Sequence, residues 1–212
     1  MSGMNRSEHR IPKLRSRGRA NRRRLLDEAE RLIAASNGDS IRFSDVFESA
    51  GVSRGSAYRI YIGMDDLMQD LASEWISNFV DYLADMRPDT PPDTWQALSD
   101  RIMERGAEYW DRTSNTLRVM PRVRSNLPAS YRQSLIELSH CLAEHFERYF
   151  VMPEVENWTG KLNFYVQVAD LTFSDSVRVS NRVTRERLLQ AQELGRTYLA
   201  FHLPESVPIR RL

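Results

Sequence analysis

The chain has 212 residues, 41% of them hydrophobic and 28% charged, and a formal net charge of +1. That is enough apolar material to bury a core in one large or two small domains, with no apolar run of about eighteen residues to act as a membrane span. The single cysteine, Cys141, excludes an internal disulfide, and with no apolar stretch of a secretory signal behind the basic N-terminus, cytoplasmic residence is expected.

The near-zero charge conceals a segregation. Nine basic residues among the first 24 stand against one acid, Glu8, so this end carries about +8 and the rest of the chain about −7. Only Lys13 and Lys161 are lysines; the other cations are arginines, planar donors able to grip an anion with two parallel hydrogen bonds.

Residues 1–19 lack periodicity and contain Gly3, Pro12 and Gly18, so they are expected to form a flexible basic arm. A helix is expected from Asn21, with Leu25, Leu26, Ala29, Leu32 and Ile33 in one stripe and Asn37-Gly38 as its stop. Arg22, Arg23 and Arg24 would then occupy its first turn and oppose the helix dipole, a conflict that nearby phosphates would relieve.

From Phe43 to Leu67, the apolar positions Val46, Phe47, Ala50, Val52 and Ala57 lie at helical spacing on both sides of Gly51, which reads as two short helices packed across a tight turn. The Ser53 hydroxyl is expected to accept from the free amides opening a helix that runs from Arg54 to about Tyr61. Asp65, Asp66 and Leu67 begin a long fourth helix with Leu71, Trp75, Phe79, Tyr82 and Met86 on its apolar face, and Arg87-Pro88 with the following Asp-Thr-Pro-Pro forms a linker.

Beyond the linker only helical patterning appears, so the chain is expected to be all-α. Helices are expected at about 92–112, 129–150, 159–180 and 184–202, the last capped by Thr184, with Pro121 interrupting a basic piece that holds Arg118, Arg122 and Arg124. Leu162, Tyr165, Val166, Ala169, Phe173, Ser176 and Val177 line one of the last two helices, and Leu188, Ala191, Gly195 and Leu199 the other. Ala191 and Gly195 are small enough to permit close approach.

The run Ala50-Gly51-Val52-Ser53, then Tyr58, Tyr61 and Leu67, together with the upstream LLDEAERLIAASNG segment, resembles the N-terminal DNA-binding unit of the TetR family of transcriptional repressors. The resemblance covers about residues 22–70. Ile60 and Met64 stand where that family usually carries a His and a Lys that contact phosphates, Phe47 where a small residue is usual, and Arg42 where a Thr is usual. The resemblance implies a helix-turn-helix domain over 20–67 and a helical effector-binding and dimerisation domain over 68–212. It also implies a homodimer through helices 159–180 and 184–202, a pseudo-palindromic operator in double-stranded DNA, and release by a small hydrophobic ligand. Neither a cofactor nor an enzymatic activity is expected.

In that setting Arg54, at the start of the reading helix, is the candidate for bidentate contact with guanine O6 and N7. Gly55 permits close backbone approach, Ser56 can meet either kind of base edge, and Tyr58, Arg59 and Arg42 are candidate phosphate donors. Arg17, Arg19, Arg22 and Arg23 would add phosphate or minor-groove contacts from the arm. The candidate effector pocket comprises Met103, Tyr109, Trp110, Met120, Phe146, Tyr149, Phe150, Tyr165 and Phe173, with Arg118, Arg122 or Arg124 available to an acidic group on the effector.

Other classes stay open: a protein of this fold that binds ligands but no operator, a monomer whose last two helices are ordinary core, or a helical-bundle enzyme. Glu137, Cys141 and His145 at i, i+4 and i+8, with the pair His140 and Glu144, have the spacing of metal ligands, but four donors do not converge. The sequence contains no glycine-rich phosphate loop, nucleophile elbow or HExxH motif.

Overall fold

The computed structural model describes residues 10–36, 41–87, 90–113 and 129–210. The expected helix stop at Asn37-Gly38, the Pro88 boundary, the basic piece 118–124 with Met120, and residues 1–9 of the arm lie outside the described residues. Among those described there are eight helices and no strand. They are α1 (Arg10–Ala35), α2 (Phe43–Ser49), α3 (Arg54–Ala57), α4 (Met64–Ala84), α5 (Trp95–Arg112), α6 (Ala129–Tyr149), α7 (Trp158–Ser180) and α8 (Arg185–Ala200). The chain divides into two compact units between Leu71 and Ala72, within α4.

In the first unit, α1 starts eleven residues earlier than the expected start at Asn21. Pro12 is only the third residue of the helix, where its missing N–H would have no intrahelical partner in any case, and the arginines that follow are good helix formers. A helix already formed at Arg10 removes the expected dipole conflict, because Arg22, Arg23 and Arg24 lie more than three turns from its start. Leu25, Leu26, Ala29 and Ile33 of α1 pack into the core with Phe43, Val46, Phe47, Val52, Ala57, Tyr61, Leu67, Met68 and Leu71, all buried.

The glycine turn forms where the sequence placed it. Gly51 has φ +60, the Val52 amide donates to the Phe47 carbonyl at 2.9 Å and the Gly51 amide to the Glu48 carbonyl at 3.1 Å. This closure satisfies the last carbonyls of α2 and requires a left-handed residue. The helix after it is shorter than expected, ending at Ala57, with Ile60 and Tyr61 turning back onto the Ala57 carbonyl at 2.9 Å each.

In the second unit, Thr94 and Thr184 cap α5 and α8 by accepting from the amides of Ala97 and Arg187 at 3.1 and 3.3 Å. Gly195 permits an approach within the chain: a Cβ there would stand 2.7 Å from Tyr165 and 2.8 Å from Met103. After α8 the chain returns across the unit. Leu203 and Val207 are buried, the Trp95 indole donates to the Pro204 carbonyl at 2.9 Å, and an antiparallel bridge pairs Phe150 with Ile209.

His145, 1% exposed, places Nε2 2.8 Å from the Leu83 carbonyl, while Arg148 lies 3.4 Å from Nδ1. A carbonyl can only accept, so Nε2 carries the proton and Nδ1 is left to accept from Arg148, which is the neutral form. Burial lowers its pKa, outweighing the Leu83 hydrogen bond that raises it. A histidine whose folded pKa is depressed contributes stability above its unfolded value of about 6.5 and loses it as pH falls through the folded value. The melting temperature is therefore expected to fall below about pH 6.5, and His145→Gln, which keeps a donor for Leu83 but does not titrate, should flatten that limb in calorimetry. Cys141, whose spacing with Glu137 and His145 is that of a metal ligand, is buried with its thiol pushed up to about 11 by desolvation, the opposite of what a reactive thiolate requires.

Candidate nucleic-acid interface and apolar cavity

Ser53 precedes α3 in extended geometry (φ −61, ψ 144). Its hydroxyl does not cap the helix as expected but donates to the Ser56 hydroxyl at 2.9 Å; the Ser53 backbone carbonyl takes the Ser56 and Ala57 amides instead, both at 2.9 Å. A one-turn helix needs no more, because these two bonds already close it. Arg54 and Gly55 are exposed at its start. The Arg54 guanidinium carbon stands 5.7 Å from the Tyr58 ring centroid, and nothing lies within 4 Å of where a Gly55 Cβ would be.

Tyr58 has a double character. One edge of the ring packs against Phe43 and Phe47, with centroids 5.2 and 6.1 Å away, yet the residue is 48% exposed. The unusual Phe47 thus supplies part of the platform on which Tyr58 stands. Arg59 is exposed and folds back, donating to the Gly55 carbonyl at 3.0 Å and the Ser56 hydroxyl at 3.4 Å.

The other candidate cations separate into committed and open groups. Arg22 grips Asp70 with two bonds, 2.8 and 2.6 Å, and Asp70 also accepts from the Tyr61 hydroxyl at 2.5 Å, so Arg22 ties α1 to α4. Arg23 pairs with Asp27 one turn on. Arg42 stands at the head of α2 with its guanidinium on Asp45 at 2.9 and 3.2 Å; this hydrogen bond holds the Asp45 carboxyl below the usual carboxylate range. Any phosphate drawn to Arg42 must compete with Asp45. Arg17 and Arg19 are exposed, and no partner for either appears among the described residues.

Two residues that sequence reasoning did not select organise this unit. Arg24 donates to the carbonyls of Ala50 and Gly51 at 2.6 and 3.3 Å, clamping the turn that aims α3. Asp70 is the hub for Arg22 and Tyr61. Both partnerships join residues distant in sequence, and no local pattern signals them.

In the second unit a cavity of about 310 Å³ is walled by α4, α5, α6 and α7. Of the expected pocket residues, Met103, Trp110, Tyr165 and Phe173 line it, whereas Tyr109, Phe146, Tyr149 and Phe150 do not. Phe146 and Phe150 are 0% exposed and serve as core. Ile76, Phe79, Leu83, Tyr131 and Leu142 line it unforeseen, although the apolar stripe of α4 had already marked Phe79. Gly106 lies at the wall between two rings: a Cβ there would rest in van der Waals contact, 3.5 Å from Phe79 and 3.6 Å from Phe173, and a longer side chain would extend past them. Gln167 and Asp170 are the polar members of the lining. Tyr165 points its hydroxyl out of the space, donating to the Ser99 carbonyl at 3.0 Å, and burial raises its pKa. Such a chamber can hold an apolar molecule.

No protein-family model and no curated protein matches the sequence. Solved structures do. A TetR-family transcriptional regulator from Streptomyces coelicolor superposes with a TM-score of 0.64 at 19% identity, over 86% of this chain and 99% of that one. A structure from Mesorhizobium loti MAFF303099, assigned to the same family, gives 0.53 at 12% identity, over 88% of this chain and 98% of that one. The chain has the TetR-family fold. In the TetR fold a helix-turn-helix head precedes a helical C-terminal domain, the order found here. No helix among the described residues is long and apolar enough to cross a membrane.

Proposed function

We propose that this protein is a TetR-like transcriptional regulator that binds a pseudo-palindromic operator as a homodimer, represses from it, and is released when a small apolar molecule enters the cavity of the second unit. The observation that carries the reading is the one-turn helix at Arg54, exposed, aimed by a clamped glycine turn, and open around Gly55. A reading helix must bring side chains and backbone close to base edges while its flanks meet phosphates, and Arg54, Gly55, Ser56, Tyr58 and Arg59 provide that set.

Dimerisation is supported by apolar side chains left outside the core of α7 and α8. Phe164, Leu171 and Val179 lie along one face of α7 and are 50%, 67% and 66% exposed, and Leu189 and Leu194 of α8 are 51% and 52% exposed. An exposed apolar face of this kind marks an interaction surface, and helix pairs with such faces bury them as a bundle. The cavity supports an effector that is uncharged and apolar over most of its surface. Such a molecule shifts the population away from DNA by its difference in affinity between the two arrangements of the dimer.

The test is a selection from random duplexes with the purified full chain, followed by mobility shift. The expected result is a recovered pseudo-palindrome with half-sites about 10 bp apart or a multiple of that. Neutral aromatic compounds should release that duplex from the wild-type protein but not from Gly106→Leu, whose side chain enters the gap between Phe79 and Phe173. Recovery of no enriched sequence would count against operator binding and favour a ligand-binding protein of the same fold.

A further inference from the structure

α1 extends well beyond the helix-turn-helix core, whose first buried residue among the described side chains of this helix is Leu25, and it does so as a helix rather than as an unstructured arm. Its cations are not equivalent. Arg22, Arg23 and Arg24 are held by Asp70, by Asp27 and by the Ala50 and Gly51 carbonyls, whereas Arg17 and Arg19, nearer the helix start, are exposed with no partner among the described residues. Arg17 stands seven residues before Arg24, about 10 Å along the axis and on the same side of the helix. Arg24 itself grips the turn leading into Arg54, so Arg17 continues outward in line with the corner that opens the reading helix.

Resting on the DNA-binding reading above, we propose that the N-terminal part of α1 docks on the operator as a helix, with Arg17 on a phosphate beside the groove that α3 enters; Arg19, two residues on, lies on the other side of the helix. A helix with side chains is about 10–12 Å across, too wide for a minor groove of about 6 Å. The extension therefore reads charge and not bases, and what it adds is affinity that falls with salt and is indifferent to sequence.

The experiment uses the full chain and measures fluorescence anisotropy on a duplex recovered by selection and on a random-sequence duplex of equal length, at several salt concentrations. Arg17→Gln removes about two phosphate contacts per dimer, so the affinity lost between 50 and 200 mM salt should shrink by about tenfold, whereas Arg19→Gln, on the other side of the helix, should shrink it far less. The loss at low salt should be equal on both duplexes. Gly18→Pro, which interrupts the helix N-terminal to the core, should reproduce that reduced salt dependence with the melting temperature unchanged. An unchanged salt dependence in Arg17→Gln overturns the proposal, as does wild-type behaviour of Gly18→Pro, which would mean a flexible tail. A loss confined to duplexes with A·T-rich flanks also overturns it, in favour of minor-groove reading. Failure of the wild-type chain to bind either duplex sinks the DNA reading itself, whereas binding that ignores these substitutions sinks only this inference.

Discussion

Arg54→Ala is expected to weaken binding to the selected operator by about 30-fold to 10⁴-fold while leaving the melting temperature within about a degree of wild type. Each bidentate arginine to guanine contact discriminates by roughly 1–3 kcal/mol, and a two-fold dimer loses two of them. The fold has little stake in the side chain: Arg54 is exposed, and among the described residues its guanidinium makes only the distant approach to the Tyr58 ring. Gly55→Ala is the companion variant. Its methyl meets nothing within 4 Å in the protein, and alanine favours a helix over glycine by about 1 kcal/mol. A drop in affinity without a drop in stability would then report crowding against the duplex. Isothermal titration with the selected duplex beside thermal denaturation separates these effects, and undiminished binding by Arg54→Ala would remove α3 as the reading element.

Leu171→Glu is expected to convert the proposed dimer to a monomer at micromolar concentration. A fully buried leucine contributes about 1.5–3 kcal/mol, two copies are lost by symmetry, and each is replaced by a carboxylate that costs several kcal/mol to bury unpaired. A rise in the dissociation constant of at least about a thousandfold follows from these terms. Leu171 is 67% exposed in the single chain, so the substitution spares the fold. Ile136→Glu, on α6 and 48% exposed, is the control and should leave the assembly intact. Sedimentation equilibrium of the three proteins reads the result directly, and a Leu171→Glu protein that sediments like wild type would place the interface elsewhere.

Gly51, Thr184 and the stripes of Leu25, Leu26 and Ile33 are local features. A glycine is needed for φ +60, a hydroxyl for a free amide, and apolar spacing for one buried helix face, so each was legible in the sequence. The start of α1 was not legible, because Pro12 and Gly18 signal a break in general, but a proline is tolerated in a first turn and an isolated glycine costs a helix only about 1 kcal/mol. The exposed residues at and after the start of α3 were legible as a set, but not the division among the arginines. Which of them are neutralised depends on Asp70, Asp27 and the Ala50 carbonyl, and for Arg22 and Arg24 those partners lie 48 and 26 residues away.

The cavity shows the same limit. Composition marked Trp110, Tyr165, Phe146 and Phe150 as equally suited to meet a ligand, yet the packing of four helices puts the first two on the cavity wall and the other two in solid core. By itself the sequence determined an all-α chain with a glycine-hinged helix pair and a basic leader, because helix periodicity and turn chemistry act over a few residues. Only the tertiary structure decided which arginines stay open, which aromatics border empty space and which leucines of α7 face outward, because these depend on how distant segments pack.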